Sequence, residues 1–290
     1  MNGALRQLDH STGPWLAVQG ERILQQLFFT SSKLHGILQG ASMARFYTCD
    51  LHNHTCMSPC AQLDMHPRAL VQAFLARGLD IVAITDHNSS ENIVHVMQAA
   101  LGSSLVVIPG MEVTTREEVH VLALFQSLEA VARFQEIVYS RLPGENDEQR
   151  FGCQPIVNER EEVEAFNTHL LFSATEMALD EVTSCIHRLD GIAIASHIDR
   201  SFFSVVGQLG FVPESARFDG LEISAALGIA GGRRRFPELS HYSLITSSDA
   251  HCLDDVGRSC TGMQLESPCF EEIKLALGRM SGRHVAESLP

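Results

Sequence analysis

From about residue 45, the sequence alternates short apolar runs with amphipathic helical segments. This alternation predicts an α/β fold with a mainly parallel sheet of roughly seven strands. Most of the apolar runs are followed directly by histidine, aspartate or glutamate. Because parallel strands end at one edge of a sheet, these polar side chains are expected to meet there. Ligands on so many strands favour a closed barrel over an open sheet, which would separate them.

The first strand end carries two histidines separated by one residue. Residues i and i+2 of an extended segment point to the same side, so His52 and His54 can direct both imidazoles at one point. Such a pair alone is as often an ordinary surface feature as a metal site. Four later stretches end in the same kind of residue, which strengthens the metal interpretation.

The full set of candidate ligands contains only imidazoles and carboxylates. Its members are His52, His54, His87, Glu112, His120, His197, Asp249 and His251. This mixture suits Zn²⁺, Mn²⁺ or Fe²⁺ better than Ca²⁺, which prefers oxygen ligands. The set is too large for one tetrahedral ion and sufficient for two or three. A bridging carboxylate such as Glu112 would hold two ions close together, and such a cluster can activate water and neutralise phosphoryl oxygens.

Five ordered motifs together resemble the PHP (polymerase and histidinol phosphatase) superfamily over about residues 45–285. They are Asp50-Leu51-His52-Asn53-His54-Thr55, Thr85-Asp86-His87-Asn88, Gly110-Met111-Glu112-Val113 with His120, Ser196-His197, and Ser248-Asp249-Ala250-His251. The resemblance implies a distorted (β/α)7 TIM-like barrel with a trinuclear metal centre. It also implies an enzyme that hydrolyses a phosphomonoester or phosphodiester with metal-activated water.

The resemblance also implies how the ligands are shared among the ions. One ion would take His52 and His54 together with Asp249 and the bridging Glu112. A second ion would take His87 and His251. The third would take His120 and His197, again with Glu112.

One position departs from the pattern of the superfamily. Many members have histidine or aspartate a few residues after the second histidine, where this chain has Cys60. A thiolate there would favour Zn²⁺, whereas a cysteine acting as a small apolar side chain is the alternative. We include Cys60 among the candidate ligands, so the occupancy of the third ion site depends on it.

Two further residues are candidates for catalytic roles. Asp86 is either a ligand or a residue that fixes the tautomer of a histidine. Arg200 follows Ser196-His197 closely and can clamp a substrate phosphate, the alternative being a surface ion pair with Asp199. Glu222 ends a strand and is not included in the predicted site.

The predicted domain organisation has two parts. Residues 1–44 lack the strand-then-helix rhythm, and Met43 immediately precedes the first strand. An upstream start-site artefact and a small extra helix are both compatible with this segment. Residues 45–290 form the predicted metallophosphoesterase domain, with a polar insertion or lid near 141–175.

Composition limits the partners that the chain is expected to have. The formal net charge of −14 disfavours a broad surface for extended nucleic acid without excluding one. A small phosphorylated metabolite or a nucleotide is therefore the favoured substrate. The 8 cysteines are scattered rather than dense, which indicates a reducing, cytoplasmic setting. Neither a membrane span nor a signal peptide is expected.

Two alternatives to a phosphoesterase remain at this stage. A metal-dependent amidohydrolase also begins with His-x-His and ends with a strand-terminal aspartate. The Asp249-x-His251 and Glu112/His120 pairs fit a phosphoesterase better, and no strand end presents a lysine that could bridge metals. A non-catalytic metal-stabilised domain is the second alternative, which the complete ligand set disfavours.

Overall fold

The structure is a computed structural model that describes residues 44–287. Apart from Ala44, the predicted N-terminal extension lies outside the described residues. Within residues 44–287, no helix is both long enough and apolar enough to cross a membrane.

The described chain contains eleven strands and eight α-helices, numbered in chain order. The strands are β1 (Arg45–Asp50), β2 (Ile81–Ile84), β3 (Val106–Thr114), β4 (His120–Leu124), β5 (Pro155–Val157), β6 (Val163–Phe166), β7 (Ile192–Ala195), β8 (Gly220–Glu222), β9 (Leu244–Ile245), β10 (Thr261–Leu265) and β11 (His284–Val285). The helices are α1 (Pro67–Ala76), α2 (Ile93–Ala99), α3 (Leu128–Tyr139), α4 (Glu148–Phe151), α5 (Leu179–Arg188), α6 (Val205–Leu209), α7 (Gly228–Arg235) and α8 (Phe270–Leu277).

Nine of the strands form one sheet in the order β11-β10-β1-β2-β3-β4-β7-β8-β9. Side chains bring β10 close to the segment that follows β9. The Thr261 hydroxyl donates to the carbonyl of Thr246 at 2.7 Å and accepts from its backbone N–H at 2.8 Å. The sheet is therefore a nearly closed barrel, and the predicted α/β barrel fold is confirmed.

Strand β4 runs opposite to the direction expected of a mainly parallel sheet. It pairs antiparallel with both β3 and β7, and His120 lies opposite Thr114 in the first ladder. The connection 115–119 is too short for a parallel crossover, which needs a dozen residues or more, so the chain forms a hairpin. His120, at the start of β4, therefore lies at the same barrel end as the carboxyl end of β3.

Alternation along the strands divides the buried residues between the inside and the outside of the barrel. Ile192 and Ile194 belong to the inner cluster, whereas Ala193 and Ala195 belong to the cluster that packs against helices. Glu112 lies four residues after Ile108 on β3, so its side chain points to the same inner face of the barrel. The inner face of the barrel thus leads directly to the carboxylate at its mouth.

The segment predicted as an insertion or lid contains α4 and the antiparallel pair β5–β6. Asn92 attaches this pair to the barrel. Its amide nitrogen donates to the carbonyl of Pro155 at 3.2 Å, and its amide oxygen accepts from the N–H of Val157 at 3.0 Å. Movement of the segment as a lid stays a prediction.

Replacing a buried phenylalanine should cost far more than replacing an exposed one. Phe74 on α1 is fully buried in the cluster between the barrel and its helices, whereas Phe46 on β1 is 47% exposed. Phe74→Ala should lower the free energy of unfolding by about 3–5 kcal/mol because it leaves a cavity. Phe46→Ala should lower it by less than about 1 kcal/mol. Denaturant titration of both variants tests this packing, and equal losses would contradict it.

Candidate metal centre

The carboxylate of Glu112 on β3 lies at the centre of the predicted site. It is 1% exposed, and five imidazoles from four segments of the chain contact it. Nitrogen-to-oxygen distances are 3.3 Å for His52, 3.4 Å for His54, 3.1 Å for His87, 3.0 Å for His120 and 3.4 Å for His197. The structure thus brings five predicted ligands to one carboxylate.

Asp249 and His251 complete the group on a neighbouring loop. Asp249 Oδ1 lies 3.2 Å from His52 Nε2 and 3.3 Å from His54 Nε2. The Nδ1 atom of His251 donates to the backbone carbonyl of Asp249 at 2.8 Å. Because Nδ1 of His251 is used in this hydrogen bond, Nε2 is the ring nitrogen that remains available to bind a metal ion.

The protonation equilibria of the group favour binding of a cation. Burial, followed by the electrostatic effect of the nearby His251, lowers the pKa of His54 to about 4, and burial also lowers the pKa of His87 well below its usual value. Both rings are therefore neutral donors near pH 7. Burial opposes the ionised form of Glu112, but His120 and His52 nevertheless hold its pKa well below the ordinary value.

His52 behaves in the opposite way. Burial would lower its pKa, but the charges of Asp249, Glu112 and Glu222 raise it well above the usual value. A proton on His52 thus partly balances three buried carboxylates. A divalent cation would supply this positive charge more fully, and its binding would displace the proton.

Unsatisfied atoms show that the donor set fits a metal ion. Glu112 Oε1 and His120 Nδ1 are buried 3.0 Å apart, and neither has a hydrogen-bond partner among the described residues. Two donors bound to one ion at about 2.1 Å in tetrahedral geometry are separated by roughly 3.4 Å. The separations around Glu112 match this value, so the residues present fit divalent ions.

Three groups of ligand atoms are each compact enough to hold an ion. They are His54, His87 and His251; His52, His54 and Glu112; and His87, Glu112 and His120. Cys60 belongs to none of these groups. It lies at the exposed edge of the cavity, where desolvation and then the charge of Glu112 raise the pKa of its thiol to about 12. Its role as a ligand stays a prediction.

Backbone hydrogen bonds fix the ligand segments beyond the ends of the strands. The N–H of Asp249 donates to the carbonyl of His52 at 3.0 Å, and the N–H of Asn88 donates to that of Glu112 at 2.9 Å. Asn88, His197 and Asp249 all have positive φ angles, between 29° and 52°. Such backbone conformations are costly and concentrate at functional sites.

Asp86 acts on the site through another residue. Its fully buried carboxylate accepts hydrogen bonds from the Thr55 N–H and hydroxyl at 2.7 Å each and from the Ser58 hydroxyl at 2.6 Å. Because Ser58 donates to Asp86, its oxygen accepts from Nδ1 of His54 at 3.0 Å. Nε2 of His54 is consequently the atom that faces Glu112. This arrangement corresponds to the tautomer-fixing role considered for Asp86.

Glu222 was not included in the prediction but lies against the centre. Its carboxylate is 2% exposed, lies 3.0 Å from Nδ1 of His52, and accepts from the N–H of His197 at 3.0 Å. It therefore orients His52 and the His197 backbone. The sequence offered one signal, since Glu222 ends a short apolar strand in the same way as the predicted ligands.

Asp50, in the first motif, also has a supporting role. Its carboxylate accepts from the backbone N–H groups of Ser248 at 3.0 Å and Gly257 at 3.3 Å. These bonds hold the loop that carries Asp249 and His251 against β1. The sequence analysis assigned Asp50 no role of its own.

A cavity of about 570 Å³ opens over the centre. Its wall includes Glu112, Asp249 and His251 as well as Arg200. A guanidinium nitrogen of Arg200 lies 2.7 Å from Asp249 Oδ2, and the Arg200 side chain is 45% exposed. A positive group therefore faces the same space as the candidate ligands.

Residues 50–221 match the PHP domain family. The chain belongs to the PHP family. Within the described part of the chain, histidine and glutamate side chains form clusters that could hold metal ions. No curated protein sequence matches the chain significantly.

Solved structures share the fold at low sequence identity. The lesion-specific endonuclease PfuEndoQ from Pyrococcus furiosus aligns with a TM-score of 0.62 and 17% identity, over 83% of this chain and 58% of that one. Endonuclease Q in complex with a 27-mer duplex containing an abasic lesion gives 0.59 and 17%, over the same shares. An amidohydrolase from Chromobacterium violaceum with bound sulfate gives 0.51 and 18%, over 72% and 89%. The chain thus spans little more than half of the endonuclease.

Removing the Glu222 carboxylate charge should weaken metal binding without removing a direct ligand. Glu222→Gln should reduce affinity for Mn²⁺ or Zn²⁺ about 10- to 100-fold, because the acceptor that orients His52 loses its negative charge. Competition with a metal-sensitive dye measures this affinity. Asp219→Asn is the matched control, since Asp219 accepts from His187 at 3.0 Å away from the cavity. Equal losses in both variants would contradict the orienting role.

Proposed function

We propose that the chain is a phosphoesterase that hydrolyses a phosphomonoester or phosphodiester with two or three divalent ions. The observation that carries the proposal is the position of Arg200, which faces the cavity beside the Glu112 centre. A planar guanidinium suits a phosphate because it can donate two parallel hydrogen bonds to its oxygens.

The charges around the cavity support an anionic substrate once ions are bound. Four buried carboxylates, those of Asp86, Glu112, Glu222 and Asp249, surround the histidine cluster. Two or three divalent ions would balance or exceed this negative charge. Arg200 would then add a positive group on the open side, making the cavity a local anion site within an acidic protein.

The residues of the chain have separate tasks in this reaction. Bound divalent ions would make water nucleophilic near neutral pH and neutralise charge on the phosphoryl oxygens. Arg200 binds a non-bridging oxygen and aligns the ester, while Asp249 holds the guanidinium in place. Glu222 and Asp86 are positioning residues, since they act through His52 and through Ser58 and His54.

Amide hydrolysis is the second candidate, because one similar structure is an amidohydrolase. At 18% identity that likeness supports the fold alone. The sequence contains only two lysines, Lys33 and Lys274. Lys274 is on α8 and donates to the carbonyl of Asp190, so it does not bridge ions at the centre. This observation favours the phosphoesterase.

Two observations indicate substrates of different size. The net charge of −14 favours a small phosphorylated compound or a nucleotide. Endonuclease Q, which shares the fold, was solved with a DNA duplex. A nucleic-acid end therefore belongs among the substrates to be assayed.

Loss of Arg200 should reduce phosphoester hydrolysis while leaving metal binding intact. Wild-type protein supplied with Mn²⁺ or Zn²⁺ should hydrolyse p-nitrophenyl phosphate or its bis ester. Arg200→Ala should lower kcat/KM about 100-fold, because a charged hydrogen-bond donor to the reacting group is lost. Arg116→Ala, at an exposed arginine outside the cavity, should leave the rate unchanged.

A variant that lacks two candidate metal ligands distinguishes the activity of this protein from that of a contaminating enzyme. The His52→Ala/His54→Ala protein should lose both bound metal and turnover. Wild-type turnover no greater than that of this variant, across several metals and both phosphoesters, would reject the proposed function. Hydrolysis of amides but not phosphoesters would favour the amidohydrolase instead.

A further inference from the structure

Two phenylalanines are exposed at the wall of the cavity beside Arg200. Phe202 is 74% exposed and Phe172 is 56% exposed, and both line the cavity. Ligand sites are typically lined by apolar and aromatic side chains with a few polar groups, so two rings on the wall of this cavity offer a contact surface for a ligand. The metal centre and Arg200 account for a phosphate but not for these rings.

The segment that carries Phe202 is held rigidly next to the centre. The hydroxyl of Ser204 donates to the carbonyl of Arg200 at 2.6 Å and accepts from the N–H of Gly207 at 2.9 Å. A Cβ atom on Gly207 would lie 2.6 Å from the carbonyl oxygen of Ser201, so α6 packs tightly under this segment. The backbone on both sides of Phe202 is therefore fixed by these contacts, and the Phe202 side chain remains exposed.

Phe203 connects the same segment to a candidate ligand. Its carbonyl accepts from the N–H of His120 at 2.9 Å, and its ring stacks on the imidazole with centroids 4.8 Å apart. Phe203 has a φ angle of 55°, which is unusual for a bulky residue. This strained residue fixes the segment relative to the metal centre.

The segment that carries Phe172 is attached to the centre from the other side. The amide nitrogen of Asn88 donates to the carbonyls of Leu171 and Ser173, each at 2.9 Å. These two residues flank Phe172, and Asn88 directly follows the candidate ligand His87. Both exposed rings are thus held by residues at or next to candidate ligands.

We infer that Phe172 and Phe202 hold the base of a nucleotide whose phosphate lies between Arg200 and the metal centre. The inference rests on the proposed function and specifies its substrate class. A cavity of about 570 Å³ is within the usual range of small-molecule sites, about 300–1,000 Å³, and leaves room beyond a phosphate. Phenyl rings lack hydrogen-bonding groups, so they bind a base by its flat face without reading its identity.

The same chemistry is offered by a free nucleotide and by the end of a nucleic-acid strand. In both, a flat base lies one sugar away from the phosphate. The formal net charge of −14 favours the free nucleotide over a longer nucleic-acid strand. An assay with both forms separates the two sources.

Paired substrates that differ only in the base test this inference. Wild-type protein should hydrolyse adenosine 5′-monophosphate with a kcat/KM about tenfold or more above that for ribose 5-phosphate. Phe202→Ala should remove most of this preference by raising KM for the nucleotide, whereas Phe202→Tyr should retain it. Phe211→Ala is the matched control, because Phe211 is 62% exposed outside the cavity. A 5′-phosphorylated adenosine tetranucleotide, assayed in parallel, identifies the preferred source by its kcat/KM.

Binding of adenosine separates failure of this inference from failure of the proposed function. Calorimetry should detect adenosine binding that Phe202→Ala weakens, whether or not any phosphoester is hydrolysed. Equal kcat/KM for the two paired substrates, or equal losses on both in Phe202→Ala, would overturn the inference while leaving the phosphoesterase intact. Absence of all hydrolysis with retained Phe202-dependent adenosine binding would overturn the phosphoesterase and keep the base site.

Discussion

The contact of Glu112 with five imidazoles is the constraint on which the rest of the site depends. A carboxylate buried to 1% exposure is costly unless positive charge compensates it. Neutral imidazoles supply no net positive charge, and burial lowers the pKa values of His54 and His87, which opposes protonation of these two rings. Divalent cations bound at this site would supply the missing positive charge.

These side chains converge because of the direction of the strands and because alternate residues of each strand face the inside of the barrel. Glu112 and Glu222 share the inward parity of their strands, and β4 reverses direction so that His120 enters the same mouth. Positive φ angles at His197 and Asp249 turn two further side chains from strand extensions into the cavity. Residues next to these candidate ligands hold the segments of the cavity wall that carry Phe172 and Phe202.

The sequence identified the side chains that converge on Glu112 better than it identified the residues that support them. His52 and His54 were predicted from two-residue spacing, and Glu112 from its place after an apolar run, which are local signals. The partner of Glu222 lies 170 residues away in the chain, so no local pattern could reveal that contact. The direction of β4 depends on a hairpin, and the indirect position of Asp86 depends on Ser58. Such features follow from tertiary packing, which spacing alone does not specify.

We propose that Glu112 organises a centre of more than one ion. Anomalous X-ray diffraction from crystals of the full chain soaked with Mn²⁺ tests it most directly. At least two anomalous peaks are expected within bonding distance of the candidate ligand atoms, with the Glu112 carboxylate shared between two ions. A single ion bound without Glu112, or no ion within reach of the five surrounding imidazoles, would contradict the account.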